Sequence, residues 1–391
     1  MKRYYSYLHT AKVILNRYTG EMPLASFLKL FFAENRKYGS RDRRMISELC
    51  YCYFRLGKAC PKLPVEDRIV ASLFLCSPAP NELLGHLHAA WNDQAGLAPE
   101  EKFALLDTGC SISQVFPFRE SLSEGIDADA FSASFFTQPD LFLRIRPGYI
   151  KQVKEKLQAA GLQFRVLADD AIALPNSSKA ESVLLLNAEA VVQDYSSQQI
   201  GGLFQQLSFA GRSRHVKVWD CCAASGGKSI LAHDRLQDLD LTVSDIRESV
   251  LANLKKRFAA AGIGHYHSFA ADLSAGGRVP VATPFDLIIA DVPCSGSGTW
   301  GRTPEQLYYF KPESIPRFSG LQKKIVSHTI AYLRPGGYLL YSTCSVFQQE
   351  NEAVVDFMQQ AFSLRLLVRQ LIPGYTQRAD TMFAALLQKP S

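Results

Sequence analysis

Two cysteines, Cys294 and Cys344, lie in segments whose residue types suit covalent chemistry. The first stands in DVPCSGSG and the second in STCS, and each segment follows an apolar, β-type run, FDLIIA and GYLLY respectively. Ligands bind beyond the carboxyl ends of the strands in an open α/β sheet. A thiol is a strong nucleophile even near neutral pH. Both cysteines are therefore candidates for a covalent mechanism.

A loop of small residues, DCCAASGGKS from Asp220 to Ser229, follows an earlier predicted strand. Small residues let the backbone approach a ligand, and the helix that begins after Gly227 offers free N–H groups. The loop is not the phosphate-binding pattern GxxxxGK[ST], because Cys222 stands where that pattern needs glycine. It is not GxGxxG either. These departures exclude kinase and dehydrogenase functions.

Acidic residues end the strands that neighbour this loop. Asp245 comes nineteen residues after Gly226, and Asp272 and Asp291 follow later strands. An acidic residue at about this distance from a glycine loop binds ribose hydroxyls in nucleotide sites. A row of carboxylates suits a ligand with ribose hydroxyls, an amino group and a positive centre. S-adenosylmethionine has all three, and we expect it as the cofactor.

The hydrophobic periodicity divides the chain into three predicted parts. Residues 1–135 show helical stripes and predict an all-α domain, in which Ser40 caps a helix that stops at Gly57. Residues 136–190 predict a small α+β connector, with a strand at 141–146 and a helix from Tyr149 to Ala160. Residues 191–391 alternate strand and helix, which predicts a mostly parallel sheet covered on both faces. The strands are expected at 216–221, 241–244, 266–270, 285–290 and 337–342, and the helices at 196–208, 226–235, 247–261, 320–333 and 350–361.

Composition limits the cellular setting. The 391 residues contain no apolar run near the roughly 18 residues that span a bilayer, and the N-terminus does not resemble a signal peptide. Nine cysteines without a short-spaced framework indicate reduced thiols in a cytoplasmic protein. Without paired CxxC or His-rich patterns, no metal site is expected. No feature of the sequence indicates an obligate protein partner.

Positive charge is concentrated at the N-terminal end. Residues 1–70 carry 14 Lys and Arg against six Asp and Glu, whereas the remaining chain carries 29 against 31. A basic end on a near-neutral body indicates a polyanionic partner, with nucleic acid as the first candidate. A solvated helix face explains the same charges equally well.

In the segments around the loop of small residues and the two cysteines, the chain resembles the NOL/NOP/Sun class of RNA (cytosine-5)-methyltransferases. The resemblance covers about two hundred residues, including VQDYSSQQ, DCCAASGGKS, DVPCSGSGTWGRTPE, YSTCSVFQQENEAVV and the closing strand DTMFAALLQK. It implies a Rossmann-like, S-adenosylmethionine-dependent methyltransferase domain. Cys344 would be the nucleophile, Cys294 would assist product release, and Asp291 would contact the target cytosine near the cofactor. The implied cofactor-binding residues are Cys222, Ala223, Ala224, Ser225, Gly226, Gly227, Lys228, Asp245, Asp272 and Asp291.

Two further points follow from the resemblance. The family usually has proline where this chain has Ser225, and serine lacks the fixed φ of proline. The segment RRMISELCYCYFR, from Arg43 to Arg55, is similar to the NusB-like helical RNA-binding domain of bacterial rRNA enzymes. RNA is therefore the expected partner, with small-subunit rRNA as the first candidate and tRNA as the alternative.

Two other functions compete with this interpretation. In a DNA cytosine methyltransferase the nucleophile follows proline, which here would be Cys294, so the Thr-Cys-Ser element around Cys344 favours RNA. A non-catalytic RNA-binding assembly factor would be expected to lack a catalytic cysteine, and both are present.

Overall fold

The computed structural model describes residues 2–209, 215–236, 238–281 and 284–391, so that Met1, the start of the predicted helical domain, lies outside it. The chain forms two compact units. The first, the helical unit, contains Met1–Leu122, Ile126–Gln138 and Thr299–Pro312. The second, the sheet unit, contains Ser123–Gly125, Pro139–Gly298 and Glu313–Ser391.

The described residues form the following α-helices and strands. The helices are α1 (Lys2–Arg17), α2 (Leu24–Glu34), α3 (Ser40–Arg55), α4 (Val65–Cys76), α5 (Glu82–Leu87), α6 (Ala89–Asp93), α7 (Pro99–Leu105), α8 (Ala128–Ser134), α9 (Ile150–Ala159), α10 (Tyr195–Gln199), α11 (Gly227–Arg235), α12 (Glu248–Ala260), α13 (Pro304–Tyr309), α14 (Ser314–Ile330) and α15 (Glu352–Phe362). The strands are β1 (Leu141–Ile145), β2 (Arg165–Ala168), β3 (Ala171–Leu174), β4 (Ala190–Val192), β5 (Val216–Asp220), β6 (Leu239–Asp245), β7 (His267–Ala270), β8 (Phe285–Asp291), β9 (Leu333–Thr343), β10 (Arg365–Ile372) and β11 (Met382–Gln388).

Helix α3 shows how the helical unit follows from its sequence. Its apolar residues recur at spacings of three and four, and they are buried in the core of the unit. The expected cap differs by one position. Gly39 is the N-cap and Ser40 the first helical residue, because the Asp42 carboxylate accepts the Gly39 N–H at 3.1 Å. The helix ends before Gly57, whose positive φ of 56° suits glycine.

Residues 299–312, which directly follow the DVPCSGSG segment, belong to the helical unit. Trp300 is almost fully buried, with its ring centroid 4.8 Å from that of Phe310 and 6.2 Å from that of Phe116. On α13, the Glu305 carboxylate accepts the backbone N–H of Leu24 at 3.1 Å, at the start of α2. The core and a helix start of the helical unit thus depend on a segment far along the chain.

The sheet unit contains a small four-stranded sheet in the order β2-β3-β1-β4. All its pairings are antiparallel. Helix α9 buries Val153 and Leu157 in the same cluster as Leu143 and Ile172. The strand and helix expected at 141–160 are both present.

The large sheet of the same unit has seven strands in the order β10-β11-β9-β8-β5-β6-β7. Strand β5 pairs in parallel with both β6 and β8. Strand β11 is antiparallel to both of its neighbours, β10 and β9. The expected Rossmann-like α/β fold is confirmed, although strand β10 was not predicted. The helix expected at 196–208 is the short α10 followed by a 3₁₀ segment, and α14 begins six residues earlier than expected. Among the described residues, no helix combines the length and apolarity needed to span a membrane.

Trp300→Ala should destabilise the helical unit by about 3–5 kcal/mol, because it leaves a large cavity in the core. Trp91→Ala is the matched control, since Trp91 is only partly buried, against Phe74 and His88. Urea unfolding followed by far-ultraviolet circular dichroism measures both. A loss from Trp300→Ala no larger than that from Trp91→Ala would contradict the placement of residues 299–312 in this core.

Candidate active site

A cavity opens in the sheet unit at the carboxyl ends of β5, β6 and β8. The connection after β5 leads to β6 on one side, whereas the connection after β8 leads to β9 on the other, which creates a crevice at the strand ends. The cavity has a volume of about 500 Å³, within the range of small-molecule sites. Its lining is Cys221, Cys222, Ala224, Asp245, Ile246, Arg247, Ala271, Asp272, Leu273, Ser274, Asp291, Val292, Pro293, Cys294, Leu321, Ile325 and Cys344.

The loop after β5 makes a tight turn that requires its small residues. Ala224 and Gly226 both have positive φ, of 45° and 82°. A side chain on Gly226 would place its Cβ 2.6 Å from the Phe258 ring. Any other residue at Gly226 would therefore displace α12, and with it the start of α11 at Gly227.

Ser225 stands where the resemblance to the NOL/NOP/Sun class leads us to expect proline, and Arg257 holds it in place. The Arg257 guanidinium donates to the Ser225 hydroxyl at 2.7 Å and to its carbonyl at 2.9 Å. The same guanidinium donates to the Asn187 side chain at 2.9 Å. Hydrogen bonds thus fix the loop at the position where proline would fix it covalently.

The predicted cofactor residues fall into two groups. Five line the cavity, namely Cys222, Ala224, Asp245, Asp272 and Asp291. The other five form the turn and helix start behind the lining, namely Ala223, Ser225, Gly226, Gly227 and Lys228. They shape the loop and do not line the cavity themselves.

Two of the strand-end carboxylates, Asp245 and Asp272, are held differently. Asp245 accepts the Ala224 N–H at 3.0 Å through one oxygen, and the Arg247 N–H and Nε at 3.0 and 3.2 Å through the other. Asp272 is exposed, and hydrogen bonds from the Ser274 hydroxyl and N–H lower its pKa. Asp245 is thus a rigid part of the wall, whereas Asp272 faces solvent.

The cavity has an apolar side whose residues the sequence motifs did not indicate. Ile246 is 59% exposed, and Leu273, Pro293, Leu321 and Ile325 line the cavity with it. A flat apolar ligand group would cover these side chains. Ile246 directly follows Asp245, so a hydrophobic residue after a strand-end carboxylate was the available signal.

The two cysteines are in direct contact, with 3.3 Å between their sulfur atoms, and neither forms a disulfide. The hydrogen bond with Cys344 and burial raise the pKa of the Cys294 thiol well above its ordinary value. Cys294 therefore holds its proton in the resting site. The structure brings together the two residues that the sequence places fifty positions apart.

Asp291 lies at the end of β8, beside these thiols. One carboxylate oxygen accepts a hydrogen bond from Lys228 Nζ at 2.7 Å, and the other accepts one from the Ser342 hydroxyl at 2.8 Å. Lys228 is nearly buried, whereas the Asp291 side chain keeps 31% of its surface exposed. Lys228 and Asp291 thus form an ion pair, and its carboxylate lines the cavity.

These residues fit S-adenosylmethionine. A carboxylate such as that of Asp245 suits ribose hydroxyls, the apolar side chains around Ile246 suit a base ring, and the carboxylates suit an amino group and a sulfonium. Both thiols line the same cavity, so a methyl donor bound there would lie near the predicted nucleophile.

Residues 211–388 match the family described as 16S rRNA methyltransferase RsmB/F. Over these residues the chain is similar to the RsmB/F methyltransferases. The match confirms the NOL/NOP/Sun resemblance and the S-adenosylmethionine-dependent fold, and with them the expected cofactor. Residues before 211 lie outside the match, so the NusB-like interpretation stays a prediction.

Individual proteins that are similar to this chain carry names of the same kind as the RsmB/F match. The chain is 32% identical over 217 residues to ribosomal RNA small subunit methyltransferase B of Xanthomonas campestris pv. campestris, covering 51% of this chain and 47% of the relative. It thus spans about half the length of the curated relatives it matches. A methyltransferase homolog protein from Pyrococcus horikoshii superposes with a TM-score of 0.56 at 21% identity, over 68% of this chain and 92% of that one. The crystal structure of NSun6 from the same organism, with SFG, gives 0.58 at 14% identity, over 72% and 97%. At these identities the two structures show the fold.

Asp220, beneath the loop, is a carboxyl group that the sequence analysis did not single out. It is almost fully buried, and one oxygen accepts the Ser229 hydroxyl at 2.6 Å. Burial, together with a smaller contribution from the nearby Asp291 carboxylate, raises the pKa of Asp220 to about 7. The folded state therefore binds this proton more tightly than the unfolded state, whose pKa is near 3.8.

Asp220→Asn should gain stability relative to the wild type as the pH rises. The raised pKa makes the wild type lose stability between pH 4 and 7, by at most about 1.4 kcal/mol per pH unit. An amide does not ionise and escapes this loss. Urea unfolding at pH 5, 6, 7 and 8 measures the difference, with Asp272→Asn as the exposed control. Parallel pH profiles for wild type and Asp220→Asn would contradict the raised pKa.

Proposed function

We propose that this protein transfers a methyl group from S-adenosylmethionine to C5 of a cytosine in RNA. The contact between the Cys294 and Cys344 sulfurs, in the cavity at the β5–β8 crevice, is the observation that carries the proposal. The bound cofactor supplies an electrophilic methyl group on a positively charged sulfur. The residues of this chain supply the activation of the base.

Cys344 acts first, because cytosine C5 is a poor nucleophile inside its aromatic ring. Addition of the Cys344 sulfur at C6 converts the base to an enamine, and C5 then has the electron density to accept the methyl group. The proton that the Cys344 thiol loses goes to N3, where the Asp291 carboxylate holds it, and this offsets the charge that develops on the ring. Lys228 and Ser342 keep its carboxylate in position.

Cys294 acts after methyl transfer. In the resting site its pKa is raised by the hydrogen bond with Cys344 and by burial. Once Cys344 is bonded to C6 that hydrogen bond is lost, so Cys294 releases its proton to solvent more easily. The resulting Cys294 thiolate then accepts the C5 proton. The C5–C6 double bond then re-forms as the Cys344–C6 bond breaks, and the electron pair of that bond returns to the Cys344 sulfur.

RNA is the proposed substrate, and small-subunit rRNA the first candidate within it. Relatives such as ribosomal RNA small subunit methyltransferase B support that choice. The target base must leave its stack, which costs a few kcal/mol and least in single-stranded RNA.

The helical unit offers fewer free cations than its composition indicates. Four of them lie in ion pairs with carboxylates, namely Arg3, Lys12, Arg17 and Arg41. Three donate to backbone carbonyls inside the unit, namely Arg55, Lys58 and Arg68. Five are exposed and lie outside the ion pairs found among the described residues, namely Lys29, Arg36, Lys37, Arg44 and Lys62. We propose that this exposed set contacts the RNA phosphates.

Cys344→Ala should abolish methyl transfer while it leaves S-adenosylmethionine binding within about threefold of wild type, because the sulfur acts on the base. Incorporation of labelled methyl groups into an RNA oligomer and a DNA oligomer of matched sequence measures activity, and calorimetry measures cofactor affinity. Full activity on RNA in this variant would refute the nucleophile assignment. Loss of activity on DNA from Cys294→Ala alone would favour the DNA enzyme.

Cys294→Ala should trap the covalent RNA–protein adduct, because Cys344 still adds to C6 while the C5 proton is no longer removed efficiently. The adduct appears as a band of reduced mobility in a denaturing gel after incubation with RNA and cofactor. Cys110→Ala, in the helical unit, is the control and should form no lasting adduct. If Cys294→Ala also leaves no adduct under turnover conditions, its role in release is wrong.

A further inference from the structure

A buried carboxylate, Glu350, lies behind the two cysteine segments, and the proposed chemistry does not use it. Its side chain is inaccessible to solvent. One oxygen accepts the backbone N–H of Ser295 at 2.8 Å, and the other accepts the hydroxyl of Ser345 at 2.8 Å. Ser295 follows Cys294 and Ser345 follows Cys344. One side chain is therefore bonded to the residue after each cysteine.

Gln322 of α14 extends this support to the other side of Cys294. Its amide nitrogen donates to Glu350 at 3.1 Å and to the carbonyl of Pro293 at 3.0 Å. Pro293 precedes Cys294, so the Cys294 backbone is fixed on both sides. Because Gln322 is itself fully buried, it has little freedom to release either contact.

Serine hydroxyls connect the two segments directly. The Ser295 and Ser345 oxygens are 3.2 Å apart, and Ser297 accepts the Val346 N–H at 2.9 Å. These bonds cross from one cysteine segment to the other. Glu350 lies outside both segments and accepts a hydrogen bond from each of them, so it anchors the connection.

The three hydrogen-bond partners of Glu350 all donate to it. Burial raises its pKa, and the hydrogen bonds from the Ser295 N–H, the Ser345 hydroxyl and the Gln322 amide oppose that shift. A carboxylate accepts all three donors, whereas an amide in its place would oppose one of them.

We propose that Glu350 is a positioning residue that holds the Cys294 and Cys344 segments together so that their sulfurs stay in contact. This inference rests on the proposed function, in which Cys294 must act on the adduct that Cys344 forms. The contact itself is a geometric property that is measurable without RNA.

Oxidation by diamide tests the contact in the full-length protein. Two thiols lose two protons and two electrons as the Cys294–Cys344 disulfide forms, and the diazene N=N bond of diamide takes up both to become a hydrazine. Peptide mapping by mass spectrometry follows this one disulfide among the nine cysteines. Glu350→Ala should slow its formation at least about tenfold, and Glu350→Gln should slow it less, because small displacements of reacting groups reduce rates steeply.

Glu352→Gln is the matched control. Glu352 is also a buried carboxylate, two positions away, and it accepts a hydrogen bond from Ser123 at 2.9 Å. This variant should form the disulfide at the wild-type rate. Wild-type rates in both Glu350 variants, or equal slowing in Glu352→Gln, would overturn the proposal. Glu350→Gln keeps the test valid if Glu350→Ala does not fold.

The methyl-transfer assay separates this inference from the proposed function. Glu350→Ala should lower kcat about 100-fold and leave the RNA KM and cofactor affinity within about threefold, because positioning acts on the reacting atoms. If the Glu350 variants oxidise slowly but the wild type does not methylate RNA, the proposed function is refuted. The role of Glu350 in holding the sulfurs in contact is then left intact. Slow oxidation with an unchanged kcat would show that methyl transfer does not need the sulfur contact, and would refute a positioning role in the reaction.

Discussion

The parallel pairing of β8 with β9 is the interaction on which the site depends. Its register sets Ala290 opposite Tyr341 and Asp291 opposite Ser342, so the segments that carry the two thiols leave the sheet side by side. Both strands are buried along most of their length, and a shift by one residue would exchange their two core faces. Packing of the core therefore fixes the place at which two distant cysteines meet.

Beyond the strand ends, backbone contacts replace the sheet. Gly298 donates its N–H to the Cys344 carbonyl at 2.8 Å and accepts the Thr381 N–H at 2.9 Å. A Cβ on Gly298 would lie 1.9 Å from the Thr381 oxygen, so the approach requires glycine. This contact joins the end of one cysteine segment to the start of the other and to the residues before β11.

The fold of the sheet unit was largely predictable, because buried strands and amphipathic helices leave a local periodic signal. Strand β10 was missed since it is an edge strand of mostly half-buried residues, and it pairs with β11 through contacts that no local window contains. The thiols and strand-end carboxylates carry residue types that indicate chemistry. Glu350 and Asp220 gave no such signal, because their importance comes from burial and from partners distant in sequence. Trp300 was included in a catalytic motif, whereas the structure places it in a hydrophobic core.

The entry of residues 299–312 into the helical unit bears on how the chain folds during synthesis. Domains generally fold as units, the N-terminal one first, as they emerge from the ribosome. Here the helical unit lacks Trp300 and the Glu305 contact to α2 until residues 299–312 have been made. Strands β1 to β8 are synthesised before the first helices have their complete core. The helical unit therefore cannot complete its core before most of the sheet strands have been made, although its first helices are encoded before them.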